Sequence, residues 1–319
     1  MTKRERVIAV LEGKTVDCVP SGFSLHFPAT CNSGDEGVKA HLDYFKESEA
    51  DIAKIMNENL VPAPYIGCPY PESYKLVEGY PKQLLDTQVE FTKKILAGID
   101  EDLFTMGTLH GICASGLHPI EKSGVEYEKA RDLQLKSLRE NEKETLAAFE
   151  RITDGMIELV KGYKEAGVDA IYYAALGAET KWLTDKEFDK WFKPFDLKIM
   201  KAIKDEGMYC FLHICKDGLN MDRYQGYDEY CDAVNWGVYE VPYTLEEGRK
   251  LFPTSVIMGG LKNRSGVLVD GTEEEITKEV HDVINGFGKE RFILGADCTL
   301  ATEQDMDKLR AAVRAARNI

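Results

Sequence analysis

Two kinds of hydrophobic pattern alternate along the chain. Short apolar runs rich in β-branched and aromatic residues predict buried strands, and longer stretches with apolar residues three or four positions apart predict helices. The strand pattern occurs in eight runs: "CVPSGFSL", "DIAKIM", "LFTMGTL", "VDAIYYAA", "MYCFLHI", "DAVNW", "SVIMGG" and "RFILGA". Most of these runs are separated by helical pattern, which is typical of a parallel sheet covered by helices.

Several helix boundaries are also marked. Residues 141–165 have apolar side chains at helical spacing, and Gly167 follows directly, which predicts that a helix ends there. Four threonines predict helix starts, because an acidic residue follows each one three positions later. These threonines are Thr184, Thr244, Thr272 and Thr302. In the last pair the acidic residue is Asp305 instead of the more usual glutamate.

Eight strands that alternate with helices match the count of a (β/α)₈ TIM barrel. We therefore predict a single barrel domain over residues 1–319 with an N-terminal helical extension. A doubly wound parallel sheet is the alternative, but no glycine-rich phosphate-binding fingerprint follows any of the strands. In a barrel, the reactive groups lie just past the C-terminal ends of the strands.

One strand end carries two groups that bind metals. In "MYCFLHICKDG", side chains alternate between two faces, so His213 and Cys215 share one face while the other is entirely apolar. An apolar face packs against the outer helices, which turns His213 and Cys215 toward the barrel axis. Taken alone, this pair also fits a buried histidine beside an inert thiol. Cys298, at the end of the last strand, supplies a third soft ligand, and three such ligands with an open fourth position are typical of catalytic zinc.

Other strand ends add polar candidates. These are His26, Glu58, His110, Glu179, Tyr239, Glu240, Lys262, Arg264 and Asp297. Glu179 is predicted to be a fourth metal ligand or a general base, with a surface glutamate as the alternative. His26 and His110 are predicted to bind polar groups of a substrate, and Lys262 and Arg264 to hold a carboxylate or sulfonate. The alternatives are ordinary, partly buried histidines and a solvated loop.

Composition narrows the classes of function. The chain has 55 acidic and 40 basic residues and a formal charge of -15, which argues against nucleic acid or an anionic membrane as a partner. No signal peptide or long apolar run is evident, so we expect a soluble cytoplasmic protein. Eight widely spaced cysteines predict reduced thiols, six of them small buried hydrophobic residues. The charged residues 121–150 predict a solvated helical face, and His118 and His281 are expected to be structural.

Several segments together resemble the uroporphyrinogen decarboxylase superfamily. They are "RERVIAVLEGKTVDCVP", "AGVDAIYYAALGAE", "FLHICKDG", "GTEEEITKEV" and "FILGADCTL". The His-x-Cys pair with a late cysteine is similar to the zinc-dependent branch of cobalamin-linked methyltransferases, which includes the methylcobamide:coenzyme M enzymes. The resemblance implies a (β/α)₈ barrel and zinc ligands at His213, Cys215 and Cys298.

The chain departs from the decarboxylases at three places. Those enzymes have an arginine-rich segment after the first strand, where this chain reads "SLHFPATC". They have a histidine where Cys298 stands and an aspartate where "KIMNEN" offers Asn57 or Glu58. A substrate with many carboxylates would meet an acidic chain without its cationic clamp, so decarboxylation is the second choice. From the methyltransferases the chain departs at Lys216, where those enzymes usually have glycine.

The resemblance implies a function for the site. The chain is expected to be a zinc-dependent methyltransferase that moves a methyl group between a corrinoid (cobalamin) protein and a thiol or another small methyl acceptor or donor. The corrinoid is expected on a separate protein, because the chain contains no Asp-x-His-x-x-Gly sequence. The alternatives are a tetrapyrrole decarboxylase and a non-catalytic zinc- or corrinoid-binding partner.

Overall fold

The computed structural model describes residues 1–65, 67, 70 and 72–319. Within this part of the chain, seven strands form one curled parallel sheet whose strand order follows the sequence. The strands are β1 Ile52–Ile55, β2 Phe104–His110, β3 Ala170–Ala175, β4 Tyr209–Ile214, β5 Ala233–Trp236, β6 Val256–Leu261 and β7 Phe292–Ala296. This sequential order differs from the reversed order of a doubly wound sheet, so that alternative is wrong.

Helices surround the sheet. They are α1 Lys3–Leu11, α2 Gly34–Ser48, α3 Lys82–Gly98, α4 Ile112–Lys122, α5 Tyr127–Glu140, α6 Glu142–Ala166, α7 Asp185–Trp191, α8 Lys193–Asp205, α9 Leu245–Leu251, α10 Val267–Asp270, α11 Glu273–Phe287 and α12 Met306–Arg317. Short 3₁₀ helices span Glu72–Leu76, Met221–Tyr224 and Tyr227–Glu229. One large apolar cluster joins the outer helices to the outer face of the sheet, and a second fills the sheet interior.

The predicted first strand is wrong as a regular strand. The segment makes isolated bridges only, because Pro20 has no N–H to donate and Gly22 has no side chain to pack. It nevertheless bonds both edges of the sheet. The N–H of Gly22 donates to the carbonyl of Leu294 in β7 at 2.9 Å, and the N–H of Asp51, just before β1, donates to the carbonyl of Ser21 at 2.9 Å. The architecture is therefore consistent with a TIM-like barrel whose eighth position is held by an irregular segment.

Helix α1 covers the N-terminal ends of the strands. Its Val7 and Val10 belong to the apolar cluster inside the sheet. Arg6 bonds Asp51, which directly precedes β1, and Arg4 bonds Asp169, which directly precedes β3. Since α1 blocks this end, the C-terminal ends of the strands form the end at which a ligand has access.

Most of the predicted helix boundaries are confirmed. Complete capping boxes start three of the four helices for which a threonine cap is predicted, with Thr184, Thr244 and Thr272. The fourth prediction is wrong, because Asp305 and not Thr302 caps α12, its side chain accepting from the N–H of Asp307. The helix predicted over residues 141–165 is α6, and Gly167 ends it with a left-handed φ of 98°.

The cysteine prediction is confirmed in part. The buried ones are Cys18, Cys113, Cys210 and Cys231, and all seven described cysteines are free thiols. Cys31 is only half-buried, and Cys68 lies outside the described residues. Across the described ranges, none of the helices combines the length and apolar character that crossing a membrane requires.

Candidate metal centre

The two faces of β4 are those that the alternation predicts. Cys210, Leu212 and Ile214 pack into the outer cluster, while Phe211 belongs to the interior cluster. His213 follows the parity of Phe211 and lies inside the C-terminal end of the sheet, only 4% exposed. A strand with one wholly apolar face has to bury that face against the helices, and this fixes the direction of the other.

The three predicted metal ligands lie together. The ligand atoms of His213, Cys215 and Cys298 are all within 4.8 Å of one another, and no other group of this kind occurs in the described ranges. The two Sγ atoms are 3.9 Å apart, and Sγ of Cys298 is 3.4 Å from Nε2 of His213. Around one tetrahedral zinc ion, sulfur atoms lie about 3.8 Å apart and a sulfur and a nitrogen about 3.6 Å apart. The donor set and its spacing therefore fit zinc.

The two thiols are electrostatically unequal. Their mutual hydrogen bond lowers the pKa of Cys298, and the imidazole of His213 adds to this effect. The same hydrogen bond, together with burial, raises the pKa of Cys215 well above its usual range. One thiol of the pair thus loses its proton readily while the other keeps it. A metal ion that binds both sulfurs would release the remaining proton.

Asn235, on β5, fixes the orientation of the imidazole of His213. Its amide Nδ2 donates to the carbonyls of Met258 at 2.9 Å and Ala296 at 3.0 Å, which turns Oδ1 toward the histidine. Nδ1 of His213 is 2.6 Å from that oxygen and must donate to it. With Nδ1 donating to Asn235, Nε2, which faces Cys298, is the ring nitrogen positioned to bind a metal, as in metal-binding histidines.

Tyr172, on β3, packs beside this histidine. Its ring stacks on the ring of His213, with 5.3 Å between centroids and 24° between planes. Its hydroxyl donates to Oδ1 of Asn235 at 3.0 Å, so the same oxygen receives both the tyrosine and the histidine. The ammonium of Lys54 lies over the ring of Tyr172, 3.7 Å from the ring centroid. Tyr172, Asn235 and Lys54 thus surround His213 from inside the sheet.

Asp297 holds the loop after β5 next to Cys298. Its carboxylate is almost fully buried and accepts from the backbone N–H groups of Val238 at 3.0 Å and Tyr239 at 3.2 Å. Burial raises the pKa of Asp297 to about 7. The hydroxyl of Tyr239 donates to the carbonyl of Gly260, and the tyrosine remains 48% exposed at the rim. Asp297 is thus a positioning group for the rim of the site.

Lys216 directly follows a ligand in an unfavourable backbone conformation. Its φ of 87° lies in the left-handed region, which side chains other than glycine rarely adopt. The strain explains why a glycine is expected at this position and why a lysine there is unusual. Nζ of Lys216 lies 4.4 Å from the ring centroid of Tyr127. Lys216, Asp217 and Glu240 line a cavity of about 390 Å³ at the rim.

Glu179 lies apart from the metal ligands. It is 3% exposed, so the alternative of a surface glutamate is wrong. The carboxylate accepts from the N–H of Gly177 at 2.8 Å and lies 3.4 Å from the guanidinium of Arg131, which also bonds Sγ of Cys113 at 2.6 Å. Arg131 is fully buried, so residues 121–150 do not form a purely solvated face. The role of Glu179 as a ligand or base stays a prediction.

His26, Glu58 and His110 form a second polar group, on the side of β1 and β2. Nδ1 of His26 is 3.8 Å from Oε1 of Glu58, and this contact lowers the pKa of the glutamate. His110 ends β2; burial lowers its pKa to about 4, and its Nδ1 has no hydrogen-bond partner among the described residues. Its ring lies 5.2 Å from that of His118. Contact of His26 and His110 with a substrate stays a prediction.

The remaining predicted residues lie at the rim or in the helical layer. Lys262 and Arg264 are both exposed in the loop after β6, with Nζ of Lys262 5.1 Å from the ring of Tyr239. Their role in binding an anion stays a prediction. His281 hydrogen-bonds the carbonyl of Ala315 at 3.2 Å, which matches the structural role expected for it.

A cavity of about 830 Å³ lies away from the metal ligands. It is lined by the beginning of α2, by α3 and by Glu58 and Lys122. Because none of the three metal ligands lines it, cavity size alone would direct attention away from the groups able to hold a metal ion. Glu58 connects this cavity to the second polar group.

Sequence reasoning missed Asn235, Tyr172, Lys54 and Arg131. Only strand ends were considered, whereas Lys54, Tyr172 and Asn235 lie within strands. A usable signal existed for Lys54, since a lysine in the otherwise apolar "DIAKIM" is unusual in a buried strand.

The curled parallel sheet, closed at one end and carrying an imidazole and two thiols at the other, defines a TIM-like α/β protein with a candidate metal centre. The family model of uroporphyrinogen decarboxylase (URO-D) matches residues 126–319, which is more than half of the chain. The chain belongs to this family.

Solved structures share the fold at low sequence identity. A methyltransferase from Methanosarcina mazei is 17% identical, with a TM-score of 0.78 over 100% of this chain and 98% of that one. A B12-independent methionine synthase from Shewanella sp. W3-18-1, in complex with selenomethionine, is 11% identical, with a TM-score of 0.58 over 95% and 97% of the two chains. These likenesses establish the fold alone. No curated protein matches the chain significantly in sequence.

Proposed function

We propose that the protein is a zinc-dependent methyltransferase that transfers a methyl group between a corrinoid, carried by a separate protein, and a thiol or another small methyl acceptor or donor. The observation that carries this proposal is the spacing of the ligand atoms of His213, Cys215 and Cys298 at the accessible end of the sheet. No fourth histidine, cysteine or carboxylate of the described residues joins them, which leaves a coordination position for a reactant.

Two comparisons support the proposal. The chain belongs to the uroporphyrinogen decarboxylase family, and the full-length likeness to the Methanosarcina mazei structure is to a protein described as a methyltransferase. Likeness at 17% identity does not transfer an activity, so the weight rests on the three ligands themselves.

The protein's residues would supply position and charge. His213, Cys215 and Cys298 would hold zinc, which binds a substrate thiol as the thiolate at neutral pH and so makes the sulfur a nucleophile. The hydrogen bond from Nδ1 of His213 to Asn235 leaves Nε2 to bind the metal, and Asp297 holds the adjoining rim. In transfer to the thiol, the sulfur would take the methyl group from methylcobalt, and the electron pair of the cobalt–carbon bond would stay on cobalt.

The family name itself raises decarboxylation as a second candidate. Uroporphyrinogen carries many carboxylates, and such a ligand needs several arginines for bidentate contacts. The segment "SLHFPATC" after the irregular first element contains no arginine, and the chain has a formal charge of -15. We therefore expect uroporphyrinogen neither to bind tightly nor to be decarboxylated. A non-catalytic zinc- or corrinoid-binding role is the third candidate.

Metal analysis tests the first premise. We expect about one zinc per chain in protein purified without chelator, because three preorganised soft ligands bind zinc tightly. Zinc below a tenth of stoichiometry that added zinc does not restore would contradict the metal centre.

Turnover separates the three functions. We expect thiol-dependent demethylation of free methylcobalamin, lost when zinc is removed and recovered when it is added back. Binding of methylcobalamin without turnover would favour the non-catalytic role. Conversion of uroporphyrinogen at about one per second, within the usual range for enzymes, would make the decarboxylase the correct assignment.

A further inference from the structure

A lysine lies buried inside the sheet, close to the candidate metal centre. Lys54, in the middle of β1, is only 6% exposed. Its ammonium lies 3.7 Å from the ring centroid of Tyr172, and no carboxylate of the described residues forms an ion pair with it. Burying an ammonium without an anionic partner is costly, and a cation–π contact offsets only part of that cost.

The negative groups that act on Lys54 are mainly those of the metal centre. Burial lowers the pKa of Lys54 to about 8, while negative charge on Cys298 and Cys215, and to a smaller extent on Glu58, acts in the opposite direction. The contact of the ammonium with the ring face of Tyr172 also favours the charged form of the side chain. The ring of Tyr172 connects it to the site, since one contact is to the ammonium and the other is the stack on His213.

The net charge of the metal centre depends on its fourth ligand, and a nearby cation acts on that charge. One zinc ion, two thiolates and a neutral imidazole sum to zero, and a histidine that binds zinc through Nε2 with the proton on Nδ1 is neutral. A neutral fourth ligand leaves this sum unchanged, whereas a thiolate makes it negative by one charge. A nearby buried cation then stabilises the thiolate-bound form, because opposite charges attract strongly where water is excluded.

We propose that Lys54 is a specificity-determining residue that balances the charge of an anionic fourth ligand, so that the metal centre favours thiolates over neutral ligands. This inference rests on the proposed function, because it requires a metal held by His213, Cys215 and Cys298. It assigns Lys54 no bond to the metal and no proton transfer. The proposal explains why a lysine occupies a buried position in an apolar strand, since its positive charge is what the site requires.

The experiment measures binding of two small ligands to protein loaded with cobalt(II) in place of zinc, followed by its visible absorption. One probe is 2-mercaptoethanol, which binds as a thiolate, and the other is imidazole, which binds as a neutral molecule. We expect Lys54→Met, which keeps much of the side-chain volume, to weaken thiolate binding by about tenfold, as expected for the loss of one nearby buried charge. Imidazole affinity should stay within twofold of wild type, and Lys54→Arg should retain most of the thiolate affinity.

Controls separate charge from packing and from folding. Lys164→Met removes the same charge from the exposed face of α6 and should change neither affinity. Cobalt stoichiometry, measured for every variant, identifies any that fail to form the site, and Lys54→Gln then provides a second neutral variant. Equal loss of both affinities in the neutral variants, or no loss of either, would overturn the role of Lys54 while leaving the proposed function intact. A wild-type protein that binds cobalt but shows no thiol-dependent absorption would overturn both.

Discussion

The two ends of the curled sheet differ in how their charged side chains are paired. At the N-terminal end, Arg6 donates from Nη1 to Asp51 and from Nε to Asp17 at 2.7 Å, while the second carboxylate oxygen of Asp51 accepts from Ser21. Each charge there has an opposite charge. Toward the other end, Lys54 inside β1 has no ion-pair partner among the described residues, and Lys216, just after β4, has a strained backbone.

This difference indicates that one end of the sheet stabilises the fold and the other serves ligand binding. The charges around Arg6 join α1, the irregular first segment and β1, so they stabilise closure of the sheet. Lys54 and Lys216 destabilise the folded state, one as a buried unpaired charge and the other through backbone strain. Proteins retain such destabilising features where a ligand or a reaction requires them. If this interpretation is correct, substitutions at the two ends should have opposite effects on stability and on activity.

The largest effect is expected for Cys298→Ala, which should reduce methyl transfer by more than a hundredfold, because even residues that only support metal ligands change activity by about 10–100-fold. The free energy of unfolding of the metal-free protein should change little. The matched control is Cys210→Ala on the opposite face of β4, which is fully buried in the outer cluster. It should lower the free energy of unfolding by about 1 kcal/mol and leave activity nearly intact. Indistinguishable behaviour of the two variants would refute the separation of the faces. Urea unfolding and the methylcobalamin assay provide both readouts.

The next effect is expected at the closed end. Arg6→Met should lower the free energy of unfolding by about 3–5 kcal/mol, because it removes the hydrogen-bonded cation of the buried carboxylate of Asp51 and leaves only Arg317, 4.0 Å away. Zinc content per folded chain should not change. The control is Arg4→Met, whose side chain is 43% exposed in its pair with Asp169 and should cost at most about 1 kcal/mol. Urea titrations should show a small loss for Arg4 and a large one for Arg6; equal losses would remove the distinction between buried and exposed pairs.

A smaller effect concerns acid sensitivity of the open end. Burial lowers the pKa of His110 to about 4, whereas an unfolded histidine titrates near about 6.5. Between these values the unfolded chain binds a proton that the folded chain does not, so this contribution to stability is lost as the pH falls from 6.5 toward 4. His110→Asn should therefore reduce the slope of unfolding free energy against pH by up to about 1.4 kcal/mol per pH unit in this window. Urea unfolding at pH 4.5 to 7.5 measures both slopes, and parallel curves for the variant and the wild type would contradict the prediction.

The smallest effect is a gain. Lys216→Gly should raise the free energy of unfolding by about 0.5–1 kcal/mol, because glycine adopts a φ of 87° without the strain that a side chain causes. Thermal unfolding measures the change, with Asp217→Gly as the control in the same loop. A loss of stability in Lys216→Gly comparable to that of the control would show that the backbone at this position is not strained.

Much of the fold follows from the sequence. Alternation along β4 requires a buried apolar face, and that requirement alone directs His213 inward whatever the rest of the chain does. Threonine and glutamate three residues apart predict helix starts because both partners of the capping box are local. The predictions that were wrong involve weaker local signals. Pro20 and Gly22 interrupt the first strand, and Asp305 caps α12 instead of Thr302 because both residue types are favoured at helix starts and they lie three positions apart.

The residues around the metal centre could not be predicted in the same way. Sequence alone determined which three side chains are able to bind zinc and that they share the C-terminal end of the strands. Only the tertiary structure decided that Asn235 turns its oxygen toward His213 and that Lys54 meets Tyr172 inside the sheet. It also separated Glu179 from the ligands by pairing it with Arg131. The physical reason is that strand parity is a property of neighbouring residues, whereas the partner of a buried polar group depends on strands and helices that lie far apart in the chain.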